Sequence, residues 1–225
     1  MDKFFTSAYG NMSEADKESF FKTVFLNDDS DYALKIRMEY YGKVLKHMGK
    51  NVYIGKGVKI VNPQYISLGD NVRINDNATL IARGEGGIEI GNGVNINDRV
   101  YLDTERADEG YIKIGGGAYI GTGTTLFGHV GLEIGERSLL AQNITITPYS
   151  HIFSDPDADI ITQGGHTKKV IIGRDCYLGM GVCVMYSADI GEGSVIGAGS
   201  LVIKPVPPYC VAVGHPAKVI KRREK

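Results

Sequence analysis

A six-residue beat restricts this chain more than any other feature. From Val170 onward, pairs of small or aliphatic residues two apart recur with a stride of six: Val170/Ile172, Cys176/Leu178, Val182/Val184, Ala188/Ile190, Ser194/Ile196 and Ser200/Val202. Glycine follows the second member at Gly173, Gly179, Gly191 and Gly197. The beat also runs upstream through Val52/Ile54 and Val58/Ile60, then from Ile66/Leu68 to Ala78/Leu80 and from Ile88/Ile90 to Val100/Leu102. After an interruption it continues from Ile112/Ile114 to Thr124/Leu126 and from Leu132/Ile134 to Ile144/Ile146. About twenty such hexads exceed what chance supplies.

A helix repeats near 3.6 residues and a plain strand near 2, without a glycine rhythm. Sandwich strands are not metronomic. Short strands with one aliphatic side chain inward, joined by glycine-bearing corners, satisfy the period. Three strands close a triangular coil, and stacked coils form aliphatic ladders while their backbones bond coil to coil. A single coil cannot bury its own face, so the stack needs caps. The fold class is therefore mainly β, a parallel β-helix.

The sequence divides into a helical segment over 1–49, the β-helix over 50–204 and a C-terminal turn with a basic tail over 205–225. Ser13 and Asp16 open a first helix running to about Leu26. A second runs from about Ser30 to Met48, with Ala33, Ile36, Tyr40, Val44 and Met48 on one face and His47 on its surface. These helices are placed to cap the first coil. Pro205, Pro207 and Pro208 are expected to end the ladder, since proline cannot donate to it. Three segments break the beat: 81–87, the acidic 103–111, and the loop 147–169, TPYSHIFSDPDADIITQGGHTKK. A long irregular loop on a rigid rod is where function concentrates.

Composition narrows the functional classes. Net charge is -1, so no global field draws nucleic acid to the chain. No apolar run reaches the length of a membrane span. Three cysteines are too few and odd in number for a disulfide framework, and the expected setting is the reducing cytoplasm.

The hexads, the segment VIGAGSLVIKPVPPYCVAVGHPAKVIKRR (195–223) and the loop bearing His151 together resemble the hexapeptide-repeat acyltransferases, most closely the sugar O-acetyltransferases of galactoside and maltose type. The similarity covers roughly residues 50–223. It implies a left-handed coil, a homotrimer with sites between neighbouring subunits, and acetyl-CoA as donor. It also implies His151 as the catalytic histidine, a backbone N–H at the Gly179–Met180 turn as oxyanion donor, Ala198 along the coenzyme groove with Lys204 near it, and Lys218 and Lys221 at the phosphates. His129 stands where family members carry an acceptor-binding acid, a departure from the maltose and galactoside pattern. The residues expected to bind the acceptor are His129, Asn143 and His166, of which His166, in the same loop as His151, also reads as an ordinary loop histidine. Tyr177 stands where the family often has tryptophan.

Chemistry points to His151 as well. A thioester needs little activation, but a hydroxyl attacks poorly while it keeps its proton. A base titrating near neutrality within hydrogen-bond reach supplies what is missing. The leading expectation is transfer of acetyl from acetyl-CoA to a hydroxyl of a sugar or polysaccharide precursor by direct attack. N-acetylation of a nucleotide-linked amino sugar and a non-catalytic scaffold are the alternatives. A zinc hydrase on the same scaffold would need three converging imidazoles, and its paired H-x4-H arrangement is absent, so no metal is expected.

Overall fold

The computed structural model describes residues 10–106 and 108–224. Each hexad forms one short strand, except Ala188/Ile190, which makes isolated bridges, and three hexads close one coil. Strands stack in parallel register on three faces. The first face, here the charged face, stacks His47–Met48, Ile66–Leu68, Ile88–Ile90, Ile112–Ile114, Leu132–Ile134 and Val170–Ile172. Glu89, Lys113 and Glu133 point outward there in mutual register. The tyrosine face runs from Tyr53–Ile54 to Cys210–Gly214, with Tyr53, Tyr119 and Tyr177 outward. The threonine face runs from Lys59–Val61 to Leu201–Val202, with Thr79, Thr125 and Thr145 outward. The architecture is the left-handed parallel β-helix expected.

Inward positions form unbroken apolar columns. Ile54, Ile74, Ile96, Ile120, Leu140, Leu178 and Ile196 have no exposed surface, nor do Leu80, Leu102, Leu126, Ile146 and Val184 on the threonine face. Each such side chain contributes about 1.5–3 kcal/mol by leaving water. Two kinds of corner residue permit the stacking. The residue before each small inward side chain takes a left-handed conformation, at Gly57, Asn77, Arg99, Gly123, Asn143, Gly181 and Gly199 along one edge. Glycine is only one of several residues used there. The glycine that follows the aliphatic pair has a different cause: a Cβ on Gly179 would lie 2.6 Å from Ala198 N in the next coil. Close approach of backbones requires glycine there.

The N-terminal helices are α1 (Glu14–Val24), capped by Ser13, and α2 (Asp31–Val44), capped by Ser30. Helix α2 stops earlier than its periodicity suggests, and His47–Met48 instead pair with Ser67–Leu68 as the first strand of the charged face. His47 therefore belongs to a strand rather than a helix surface. Phe21, Phe25, Ala33, Tyr41 and Leu45 cover the open end of the prism. Buried Arg37 holds this cap by donating to the carbonyls of Phe25 at 2.7 Å and Asp28 at 2.6 Å.

At the other end the prolines do not stop the ladder. Val206 bridges Ile190, and Cys210–Gly214 pairs with Val195–Ile196. The basic segment is a strand, Ala217–Arg222, returning antiparallel on Cys210–Gly214. Pro205 precedes Val206 on one edge, and Pro207 and Pro208 follow it at the corner before Cys210, where no ladder donor is needed.

Candidate functional site

Counting strands along the chain places every interruption on one edge. Segments 82–87, 104–111, 128–131, 147–169 and 185–189 all connect the threonine face to the charged face. This loop edge carries the irregular connections. The edge joining the tyrosine and threonine faces, here the closed edge, is crossed by the same four-residue corner in every coil, at 55–58, 75–78, 97–100, 121–124, 141–144, 179–182 and 197–200.

The long loop begins and ends as a hairpin, Tyr149–His151 against Gly165–Thr167. Strand alternation puts Tyr149 and His151 on one side and Ser150 with its partner His166 on the other. The ring of Tyr149 stacks on His129, centroids 5.0 Å apart and planes within 20°. On the opposite side His166 stacks on Tyr186, at 5.9 Å and 10°. The hairpin thus sits between the edge turns of the coils before and after it. His151 is exposed, and its Nδ1 lies 3.2 Å from Tyr149 Oη. Asp155, near in sequence, instead accepts from the Asp157 N–H at 2.9 Å, closing a local turn.

Aromatic rings continue from this hairpin down the edge. His129 lies 6.0 Å from Phe127, which lies 6.1 Å from Tyr101. His129 is half-buried, and burial, reinforced by Arg106, lowers its pKa against an opposing pull from Asp103. The imidazole is therefore neutral at pH 7, a hydrogen-bonding group rather than a cation. Asp103 is the buried charge of this edge. Its oxygens accept from Arg83 at 2.8 and 2.7 Å, from Tyr101 Oη at 2.9 Å and from the Glu105 N–H at 2.8 Å. Burial alone would raise its pKa, but these donors outweigh it and the net shift is downward.

The remaining expected site residues are distributed over other edges. Gly179, Met180, Ala198 and Asn143 belong to the closed edge. The Gly179 N–H is committed to Ile196 O at 2.8 Å, whereas the Met180 N–H has no protein acceptor among the described residues. Lys204 stands on the loop edge of the last full coil, and Lys218 and Lys221 are exposed on the final strand. Thus His151, His129 and Lys204 share one edge, and Gly179, Met180, Ala198 and Asn143 share another. His166 lies on the loop edge but faces away from His151. The strand between Asn143 and Pro148 separates the two edges by about 16 Å, at roughly 3.3 Å per extended residue.

Sequence reasoning passed over Tyr149, Tyr186 and Asp103. Tyr149 had a readable signal, since it stands two residues before His151 and strands repeat every two. The edge assignment was also readable by counting hexads in threes. Among the described residues no group of three or more His, Cys, Asp or Glu is placed to hold a metal ion. No helix among them is long and apolar enough to cross a membrane.

Residues 169–204 match the family described as bacterial transferase hexapeptide (six repeats). A probable acetyltransferase of Mycobacterium tuberculosis is 33% identical over 74% of this chain and 54% of its own length. The galactoside O-acetyltransferase of Lactococcus lactis is 36% identical over 50% of this chain and 53% of its own. The chain therefore spans about half the length of these curated relatives. Among solved structures, AntD, an N-acyltransferase from Bacillus cereus crystallised with dTDP and 3-hydroxybutyryl-CoA, superposes with a TM-score of 0.57. It is 26% identical over 84% of this chain and 88% of AntD. The repeat matched over residues 169–204 is the beat that builds the prism, and over most of its length the chain is similar to hexapeptide-repeat acyltransferases.

Proposed function

We propose that the protein is an acetyl-CoA-dependent O-acetyltransferase that modifies a hydroxyl of a sugar or polysaccharide precursor. The observation that carries this reading is His151: an exposed imidazole, held on a short hairpin clamped to a stiff prism, with Nε2 open to a substrate. His151 takes the acceptor proton as the hydroxyl oxygen attacks the thioester. The Met180 N–H is free to donate to the oxyanion that develops. The small side chain of Ala198, stacked on Gly179, leaves backbone open along a groove for the pantetheine arm. Lys204, Lys218 and Lys221 offer mobile point charges for coenzyme phosphates.

His151 and Met180 lie on different edges of one prism, so one copy does not bring them together. The threonine face lies between those edges. A homotrimer with that face toward its axis would bring the loop edge of each copy against the closed edge of the next. Two observations support this arrangement. Beyond Lys59 the outward residue just before each inward aliphatic side chain of this face is uncharged and half-buried: Thr79, Tyr101, Thr125, Thr145, Cys183 and Leu201. In addition, the loop exposes Phe153, Ile160 and Ile161, an apolar surface suited to a second copy.

A second reading, N-acylation of a nucleotide-linked amino sugar, is favoured by the likeness to AntD. Incubation with acetyl-CoA and a panel of plain saccharides and nucleotide-linked amino sugars, reading released thiol, separates the two. Release with plain saccharides supports O-acetylation, and release with amino sugars alone selects the second reading. No release with any acceptor, together with no binding of acetyl-CoA, would leave a non-catalytic scaffold.

A further inference from the structure

Nothing in the sequence says what orients the imidazole of His151, and the carboxylate nearest in sequence is used elsewhere. We propose that Tyr149 is the positioning residue for His151: its phenol oxygen accepts the Nδ1–H, which leaves the Nε2 lone pair facing the acceptor. This inference rests on the acetyltransferase reading for its consequence, but its geometry stands independently of it.

Three features of the hairpin carry it. Tyr149 and His151 are two apart on one strand, so both side chains leave on the same side. Their rings meet edge to face, centroids 4.9 Å apart, with Oη 3.2 Å from Nδ1. The Tyr149 ring is itself held. One part stacks on His129. Across the hairpin the residue opposite His151 is Gly165, and a Cβ there would overlap the Tyr149 ring at Cε2, Cζ and Oη. Because residue 165 has no side chain, the phenol can lean diagonally over the hairpin and reach the imidazole. Glycine is otherwise a poor strand residue, since it contributes no packing. Here its lack of a side chain is what the contact uses.

The chemical consequence concerns the tautomer. A neutral imidazole carries its proton on one nitrogen, and only the other acts as base. An acceptor at Nδ1 holds the proton there and leaves Nε2 free. The phenol can accept from Nδ1 while turning its own proton to water. Without this partner, the exposed ring would sample both tautomers and several rotamers, and a fraction of molecules would present an N–H to the substrate hydroxyl.

The test uses the full chain labelled with 15N-histidine and long-range proton–nitrogen correlation to read the His151 tautomer. The wild type is expected to show the Nδ1–H form. Tyr149→Phe, which keeps the ring and its stacking, should shift the population toward Nε2–H. Gly165→Ala, which keeps the hydroxyl but displaces the ring, should do the same. With an accepted acceptor, both variants should lose roughly tenfold in kcat with little change in KM for acetyl-CoA. A wild type already in the Nε2–H form overturns the proposal, as does a Tyr149→Phe protein with unchanged tautomer and kcat. Should the wild type turn over no acceptor, the acetyltransferase reading fails, yet the nitrogen shifts still decide the role of Tyr149.

Discussion

The closed edge and the loop edge run along the same prism, are built from the same repeat and face opposite demands. On the closed edge every coil turns with the same four-residue corner, always with a left-handed residue third, from Gly57 to Gly199. On the loop edge no two successive connections are alike, from the short turn at 128–131 to the hairpin loop at 147–169. Coils stay in register because the inward columns and coil-to-coil bonds fix it, and two uniform edges suffice for that. The third is then free to vary, since lengthening a surface loop costs only a logarithmic increment in closure entropy. Chemistry gathers where variation is cheap, and the uniform edge supplies a smooth backbone rail. The proposed site needs both, one from each of two copies.

The largest expected effect comes from removing the base proposed for the loop edge. His151→Ala should lower turnover by roughly two to four orders of magnitude while leaving the circular dichroism spectrum and oligomeric state unchanged. Turnover equal to wild type with the true acceptor would remove His151 from the mechanism, and with it the functional contrast between the edges.

A mixing experiment separates two edges of one copy from two edges of neighbouring copies. Ala198→Arg should block the closed edge and inactivate the protein without touching the core, since Ala198 is exposed. Co-expressing His151→Ala with Ala198→Arg then yields some interfaces where an intact loop edge meets an intact closed edge. Random assembly of a closed ring restores about a quarter of wild-type activity, because each site needs one specified copy on each side. Two inactive parents that stay inactive when mixed would place both halves of the site within a single copy.

How much of this contrast was legible in the sequence depended on whether its cause was local. The inward columns were legible because Ile, Leu and Val recur where stacking demands them, and the helical cap because Ser13 and Ser30 are sound cap residues. The interruptions were visible, but their common edge required counting hexads in threes. The C-terminal strand was not legible: Pro205, Pro207 and Pro208 are a genuine local stop signal, which tertiary pairing of Cys210–Gly214 with Val195–Ile196 overrides. Asp103 read as part of an acidic loop, because its partner Arg83 is one coil away and reaches it only through stacking. His129 and His151 were singled out as residue types suited to chemistry, whereas Tyr149 was passed over because its role arises from contact with both.

A smaller effect belongs to the coenzyme side. Lys218→Ala with Lys221→Ala should raise KM for acetyl-CoA several-fold and leave kcat nearly unchanged, since exposed lysines act on phosphates as screened point charges. The difference from wild type should shrink as salt rises. A loss confined to acceptor affinity would move these residues from the coenzyme to the acceptor.

The smallest effect probes what gives the loop edge its shape. Asp103 anchors the start of 104–111 by tying Arg83, Tyr101 and the Glu105 N–H together, one coil to the next. Its pKa is lowered on folding: burial pushes it up, but the bonds from Arg83, Glu105 and Tyr101 prevail. A depressed folded value means the unfolded chain binds the proton more readily. The stabilisation is therefore present in full above the unfolded carboxylate range and is lost as pH falls through the folded value. Asp103→Asn should accordingly destabilise by about 1–3 kcal/mol at pH 7, toward the lower figure because half-exposed Arg83 is screened by solvent. The gap between mutant and wild-type melting temperatures should narrow as pH is lowered below the ordinary range of aspartate, until both carry a neutral group at this position. Melting curves across pH 2.5–7 in steps of about half a unit measure this directly. A gap that stays constant over that range would mean the carboxylate contributes shape alone, and the irregular edge would then be held by packing of Tyr101, Phe127 and His129 rather than by charge.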